Sequence, residues 1–340
     1  MHITKTLTYW YSINKRFLPW RKTKNPYYIW LSEIILQQTQ VKQGLPYYEA
    51  FVSQYPTVFD LANATEENVL KLWQGLGYYS RARNLHATAK YIAKELNGKF
   101  PESYKELIKL KGIGDYTASA IASICFNEAT AVVDGNVYRV LARYYGVSTA
   151  INSTQGKKEF KVIAQEILDT NNPAEFNQAI MEFGAIQCKP KNPDCNICPL
   201  NETCSAFKHN KVNVLPKKNK QSKPVKKYFN YLVYISPKGE TVLEKREGKG
   251  IWQNLYQFPL IESKQPLAIN ELKSQLKINE QHITLYNDKS IVHKLSHQHL
   301  YTKFWIIKSD MLPEPSIPIH TIHKYATPIL IKNFIDDFNF

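Results

Sequence analysis

The sequence predicts a mainly α-helical protein followed by a smaller α+β domain. Three observations carry that reading. The apolar period changes from three-and-four to two near residue 226, a lysine-rich stretch lies just ahead of the change, and a loop of four cysteines closes the helical part.

From Tyr9 to about Ala206 apolar residues recur at helical spacing, and Pro or Gly punctuates segments such as NPYYIWLSEIILQQTQVKQG and PAEFNQAIMEFGAI. Residues 1–207 are therefore expected to form one helical domain. Residues 208–227 carry eight lysines and no Asp or Glu, with Pro216 and Pro224 breaking any regular element, and read as a basic linker. Beyond it, YFNYLVYI and TVLEKRE, joined by SPKGE, read as a hairpin. LAINELKSQLKI reads as a helix, SIVHKLSH and HLYTKFWII as strands, and TPILIKNFIDDF as a final helix, giving an α+β domain over 228–340.

Composition limits the function classes. With 44% hydrophobic residues the chain is folded, not disordered, and 44 Lys and Arg against 29 Asp and Glu leave a net charge of +15. That excess suits a polyanionic partner or simply a soluble surface. The start, MHITKTLTYWYSINKRFLPWR, has no apolar core of signal-peptide length, and the most apolar later run, YYIWLSEIIL, is broken by Ser32 and Glu33. A cytoplasmic or nucleoid-associated protein is expected, with no membrane partner.

In a reducing compartment clustered cysteines point to metal. Cys188, Cys195, Cys198 and Cys204 are separated by six, two and five residues. Zinc sites usually pair two close Cys-x2-Cys units, whereas here one such pair is flanked by outlying single cysteines. The spacing suits four corners of a cubic iron-sulfur cluster, with structural zinc as the alternative. Cys125, in AIASICF, reads as a packing residue.

Three further stretches carry candidate chemistry. In LKGIGDYTASAIAS, Gly112 and Gly114 permit a tight turn whose N–H groups, ahead of a helix starting near Asp115, can hold a phosphate oxygen; many such turns only join two helices. In AVVDGNVYRVLARYYG, Asp134 precedes Gly135 and Asn136, a pattern equally suited to a plain helix cap. Glu33 shares a helix face with Ile29 and Leu36, so its carboxyl group meets apolar neighbours. Burial there favours the neutral acid that a proton donor needs; the alternative is a solvated, idle glutamate.

Together these pieces resemble the helix-hairpin-helix superfamily of endonuclease III, and within it the adenine DNA glycosylases. The resembling segments are LPWR (18–21), WLSEIILQQTQV (30–41), WQGLGYYSRARNL (73–85), VVDGNVYRVLAR (132–143), FNQAIMEFGA (176–185) and the cysteine loop (188–204). The carboxy-terminal part resembles that family's Nudix-like domain, with GIWQNLYQFP (250–259) as its characteristic loop, but lacks the acidic metal-binding helix of true Nudix hydrolases. The resemblance implies a helix-hairpin-helix DNA glycosylase domain with the hairpin near 105–127, an iron-sulfur loop holding one 4Fe-4S cluster, and a Nudix-like domain for recognising 8-oxoguanine.

It further implies a monomeric base-excision-repair enzyme acting on duplex DNA with adenine opposite 8-oxoguanine or guanine. Glu33 would protonate adenine and later help water attack, and Asp134, held ionised, would stabilise the sugar cation. Asn136 and Tyr116 would support that pair, and neither metal nor nicotinamide would take part in the reaction. Gln38, Thr39 and Tyr78 match positions on the DNA, Gly112 and Gly114 the phosphate turn, and Trp20, Arg21 and Gln178 the adenine pocket. Arg81 and Arg83 would supply basic phosphate contacts. Leu295, Ser296 and His297 stand where the family has a Phe-Ser-His loop that reaches the oxidised guanine. Bifunctional relatives place a lysine where this chain has Tyr116, and a phenol cannot form a Schiff base, so base removal without strand cleavage is implied. A glycosylase for thymine mismatches or oxidised pyrimidines, and a non-catalytic cluster-bearing DNA-binding module, are the competing readings.

Overall fold

The computed structural model describes residues 2–220, 222–276 and 283–340. They cluster into two compact units, one of residues 1–63 and 84–220, the other of residues 64–83 and 221–340.

The helices of the first part run in the order α1 (His2–Asn14), α2 (Pro26–Ile35), α3 (Val41–Gln54), α4 (Val58–Asn63), α5 (Glu66–Leu72), α6 (Ser80–Glu95), α7 (Tyr104–Leu107), α8 (Asp115–Phe126), α9 (Gly135–Tyr145), α10 (Thr154–Glu166), α11 (Pro173–Ile186) and α12 (Ser205–Lys208). A 3-10 turn spans Pro19–Lys22. The first helix thus starts ahead of Tyr9, where the apolar period becomes regular.

Helix α2 begins where Pro26 follows Asn25, whose side chain accepts a hydrogen bond from Tyr27 N at 2.9 Å. Residues from Ile29 to Ile35 are all buried, so α2 is a core helix that α8 and α3 pack against. The single segment read from Asn25 to Gly44 is two helices: α2 stops at Leu36, and Gln38 takes a left-handed conformation (φ 57°) before α3.

Two contacts position the α9 end. Asn177 on α11, buried, donates to Ser123 Oγ and the Thr130 carbonyl (both 2.9 Å) and accepts from Val132 N (3.1 Å), pinning the extended segment that leads to Asp134. Gly184 allows α11 to approach α9 closely, since a Cβ there would meet Asn136 Cβ at 2.7 Å and its carbonyl oxygen at 2.8 Å. The basic stretch after α12 is anchored to this unit as far as Asn219: Arg143 Nε donates to the Leu215 carbonyl (3.2 Å), Ile151 N to that of Lys217 (3.0 Å), and Asn219 N to Asn152 Oδ1 (2.8 Å).

The second unit contains β1 (Val225–Ile235), β2 (Glu240–Val242), β3 (Glu244–Lys245), β4 (Tyr256–Gln257), β5 (Leu260–Ser263), α13 (Ile269–Leu276), β6 (Ile283–Leu285), β7 (Ile291–Lys294), β8 (Gln298–Lys308), β9 (Ser316–Pro318) and α14 (Ile329–Asp337). The main sheet runs β5-β1-β8-β6, with β7 also on β8; β1 and β8 are parallel, from Val225 opposite Gln298 to Ile235 opposite Lys308. This corrects the hairpin expected from YFNYLVYI and TVLEKRE. The turn exists, with Ser236 N donating to the Glu240 carbonyl, but β2 then pairs with β9 while β1 becomes a central strand. The physical reason is burial on both faces: Leu232, Tyr234, Trp305 and Ile307 pack beneath α13, while Phe304 stacks on Tyr231 and on Phe334 of α14. The helix expected over LAINELKSQLKI is present to Leu276; Lys277 and Ile278 lie outside the described residues.

Residues 64–83 join this unit through hydrogen bonds from Lys71 Nζ to the Tyr325 carbonyl (3.1 Å), Gln74 Nε2 to Thr327 Oγ1 (2.8 Å) and Arg83 NH1 to the Gln253 carbonyl (2.9 Å). Among the described residues no helix is long and apolar enough to cross a membrane.

Candidate active site

Glu33 is the acid at the centre of the first unit. Helix α2 places it in the core with 8% of its surface exposed. Burial, the largest influence, pushes its pKa up to about 7; a hydrogen bond from Tyr116 opposes the rise, Asp134 adds to it and Arg21 opposes it. Tyr116, on the first turn of α8, is itself raised well above the ordinary phenol value by burial and by the two carboxyl groups, so it remains a donor. Its hydroxyl also lies 3.3 Å from Met181 Sδ.

Asp134 is the N-cap of α9. One carboxylate oxygen accepts from Asn136 N (2.9 Å) and Val137 N (2.8 Å), the other from Asn136 Nδ2 (2.7 Å). Burial lifts its pKa above the ordinary value, while these three N–H donors and Arg139 work the other way. The donors favour the ionised form expected of Asp134 and offset burial only in part. Asn136 is in turn fixed by Arg139, whose NH2 donates to Asn136 Oδ1 (2.9 Å) and to the Gly184 carbonyl (2.6 Å). Two neighbouring carboxyl groups therefore sit in unlike settings, one apolar and one ringed by N–H groups, an arrangement suited to an acid and an anion acting as a pair.

Glu33, Trp20, Arg21 and Gln178 line one pocket, closed by Ile29, Ile124 and Met181. The sequence reading assigned the first four but not what holds them. Glu182, on α11 one turn after Gln178, is buried and receives Arg16 Nε (2.8 Å), Arg16 NH2 (2.7 Å), Arg21 NH1 (3.1 Å) and Arg21 NH2 (2.8 Å). Burial works to raise its pKa, and the arginine hydrogen bonds overcome it and hold Glu182 at about 2. Its position in MEFGA, four residues after Gln178, was the one available signal.

The other expected residues are not among those that line this pocket. Gly112 (φ 79°) makes the hairpin turn, and a Cβ there would meet Asn84 Cβ at 2.7 Å; Gly114 is the extended N-cap of α8 with open space beside it, so only Gly112 is dictated by the turn. Gln38 is exposed and Thr39 half-buried in the turn after α2. Tyr78, in the second unit, is 55% exposed with a left-handed backbone (φ 46°). Arg81 does not extend to solvent as expected of a phosphate contact. It is buried against the rings of Trp73 and Tyr78 and donates to the carbonyls of Leu76 (3.2 Å) and Gly77 (3.3 Å), while Arg83 is engaged by Gln253. Leu295, Ser296 and His297 close the tight β7–β8 hairpin, with Leu295 N donating to the Gln298 carbonyl (2.8 Å) and both Ser296 and His297 exposed. Cys125 is half-buried, its thiol pushed up to about 12 by burial.

Cys188, Cys195, Cys198 and Cys204 all line a second pocket. Buried Arg143 donates to Cys188 Sγ (3.3 Å) and to the Lys189 carbonyl (2.7 Å). Among the described residues no three His, Cys, Asp or Glu side chains converge as a single metal ion requires. Four thiols facing one shared space fit a group larger than one ion, with a cation at hand for its negative charge.

Residues 31–183 match the model of HhH-GPD superfamily base excision DNA repair proteins, and residues 230–337 that of the NUDIX domain. The chain is 41% identical over 307 residues to the adenine DNA glycosylase of Buchnera aphidicola subsp. Baizongia pistaciae, an alignment covering 89% of this chain and 85% of that one. The chain belongs to the adenine DNA glycosylase family. It is 44% identical over 210 residues to the human adenine DNA glycosylase, covering 59% of this chain and 38% of that protein. A thermostable thymine-DNA glycosylase shares the fold with a TM-score of 0.57 and 28% identity over 61% of this chain and 96% of its own. Endonuclease III in a non-covalent DNA complex does so at 0.54, with 21% identity over 62% and 95%. As a member of the adenine DNA glycosylase family, the chain is a hydrolase of N-glycosidic bonds that removes adenine in base excision repair.

Glu182 also sets an acid limit on stability. Its carboxylate is depressed in the fold, so its contribution is present above the ordinary value of 4.5 and lost as pH falls toward about 2. Unfolding free energy should drop by about 3 kcal/mol across that range, and Glu182→Gln should flatten this acid limb while lowering stability at neutral pH. Denaturant titrations of both proteins from pH 6 to 2.5 check it; an unchanged limb in the variant would contradict the assignment.

Proposed function

We propose that the protein is a monofunctional glycosylase that removes adenine paired with 8-oxoguanine or guanine, with Glu33 and Asp134 as its catalytic pair. The observation that carries the pairing is the contrast between the desolvated Glu33 carboxyl, at about 7, and the Asp134 carboxylate, which accepts three N–H bonds.

Adenine is a poor leaving group, so the bond from its N9 to the sugar C1′ breaks once the base accepts a proton and the sugar cation is stabilised. Glu33 donates that proton to N7. The bond electrons leave with the base, and the Asp134 carboxylate offsets the positive charge at C1′. Water then adds to C1′, giving its proton to the Glu33 carboxylate. Asn136 holds Asp134 in register, and Tyr116 donates a hydrogen bond to Glu33. Because a phenol occupies the position of the lysine nucleophile in bifunctional relatives, the product is an intact strand with an abasic site.

The base reaches the pocket by leaving the duplex, at a cost of about a few kcal/mol. Gln38 and Tyr78, both with left-handed backbones and exposed side chains, suit a role beside the vacated stack. Thr39 and the turn at Gly112 and Gly114 suit backbone phosphates. Ser296 and His297 offer hydrogen-bonding groups for the added N7 proton and C8 oxygen of 8-oxoguanine, with Leu295 as an apolar wedge in place of an aromatic one. A 4Fe-4S cluster held by Cys188, Cys195, Cys198 and Cys204 would cross-link the loop that follows α11.

Duplexes with A opposite 8-oxoguanine, A opposite G and T opposite G, treated with the enzyme and then with hot alkali, test the reading. Cleavage should need the alkali, occur on both adenine duplexes and vanish in Glu33→Gln. Changing Ser296 and His297 together to Ala should lower the preference for 8-oxoguanine by about 1 to 3 kcal/mol. Cleavage without alkali, or of T opposite G alone, would refute the assignment. The purified protein should absorb broadly in the visible and carry about four irons per chain; a colourless protein with stoichiometric zinc would replace the cluster by a structural zinc site.

A further inference from the structure

Tyr11 lies on α1, 167 residues in sequence from Gln178, yet its hydroxyl donates to Gln178 Oε1 at 3.0 Å. Tyr11 is 4% exposed and is not part of the pocket wall, whereas Gln178 is. The direction of this hydrogen bond follows from its surroundings. Lys15 and Arg21 face the Tyr11 ring at 5.3 and 5.4 Å from its centroid, and both are donors only. Reversing the Gln178 amide would set its N–H2 against the phenol and give up the acceptor that the O–H has in the structure. Burial, opposed by Arg21 and assisted by the Glu182 and Glu175 carboxylates, also raises the phenol's pKa, which keeps the proton on Tyr11.

We propose that Tyr11 is a positioning residue that sets the hydrogen-bonding polarity of the pocket: by holding Gln178 Oε1, it commits the amide N–H2 to the base. This rests on the reading that the pocket receives adenine. The other polar groups on the wall have the same sense. Arg21 spends both NH1 protons and one NH2 proton on Arg16 and Glu182, which leaves two of its five N–H groups without a protein partner among the described residues. Glu33, as the neutral acid, presents an O–H. These donors suit the ring nitrogens N1, N3 and N7 of adenine, all acceptors, while its N6–H2 requires an acceptor of its own. Guanine carries N1–H where adenine has the N1 acceptor, so a donor directed at that position favours adenine. Tyr11 thereby contributes to the choice of adenine without touching it.

The test is a double-mutant cycle on single-turnover adenine release, using the full chain with Tyr11→Phe, Gln178→Met and the two combined. Tyr11→Phe keeps the ring and its packing and removes only the hydroxyl. Each single change should slow release about tenfold, the scale of one directed hydrogen bond, and the combined protein should be no slower than Gln178→Met alone. Thermal midpoints of the four proteins report any common loss of fold. An equal slowing by Tyr11→Phe in both backgrounds would make Tyr11 a general structural residue and overturn the proposal, as would no slowing in either. Full activity of Gln178→Met would instead remove Gln178 from the adenine pocket, a failure of the pocket reading that the cycle separates from the first.

Discussion

The burial of one carboxyl group governs the arrangement of the helical unit. Glu33 stands on a helix whose residues are almost all taken into the core, and the apolar surroundings that hold it also deny it the solvent that would ionise it. Each neighbour is then constrained in kind. Tyr116 remains a phenol and hydrogen-bond donor, and Arg21, which would otherwise pull the proton off Glu33, has its charge offset by Glu182. Asp134, close enough to raise Glu33 further, accepts from the N-terminal N–H groups of α9, which work against the rise that burial imposes on its own pKa.

Much of this was legible in the sequence where the signal is local. The face shared by Ile29, Glu33 and Leu36 anticipated the buried acid, and Asp-Gly-Asn anticipated a helix cap. The modest reading of Asp134 holds: it is the N-cap of α9, and its second oxygen accepts from Asn136 Nδ2. What was not legible depends on residues brought together only by packing. Glu182 meets Arg16 and Arg21 across 166 and 161 positions, and Tyr11 meets Gln178 across 167. Arg81 was misread for a related reason. Two arginines in SRARNL look alike as charge, but the helix periodicity turns Arg81 inward over Trp73. In the second unit the turn at Ser236–Gly239 was identified, yet a turn does not reveal whether its strands pair, and the parallel β1–β8 ladder prevailed because it buries both faces.

Gly184 and Arg139 link the chemistry of the pocket to the cysteine loop. A glycine at 184 lets α11 close on Asn136, and Arg139 reaches from α9 to Asn136, to the Gly184 carbonyl and to the Cys188 carbonyl at 2.7 Å. The residues that orient Asp134 are thus the same ones that fix the start of the cysteine loop. A continuous chain of hydrogen bonds runs from the Cys188 carbonyl through Arg139 and Asn136 to Asp134.

The account stands on Glu33 being a neutral acid near physiological pH. Carbon-13 labelling of the glutamate side-chain carboxyls, with the Glu33 signal assigned by its loss in Glu33→Gln, allows its titration to be followed directly. A midpoint near 7 is expected, with the proton present below that pH and lost above it. A midpoint at the ordinary value of 4.5 would mean an ionised, solvated side chain and would contradict the central claim.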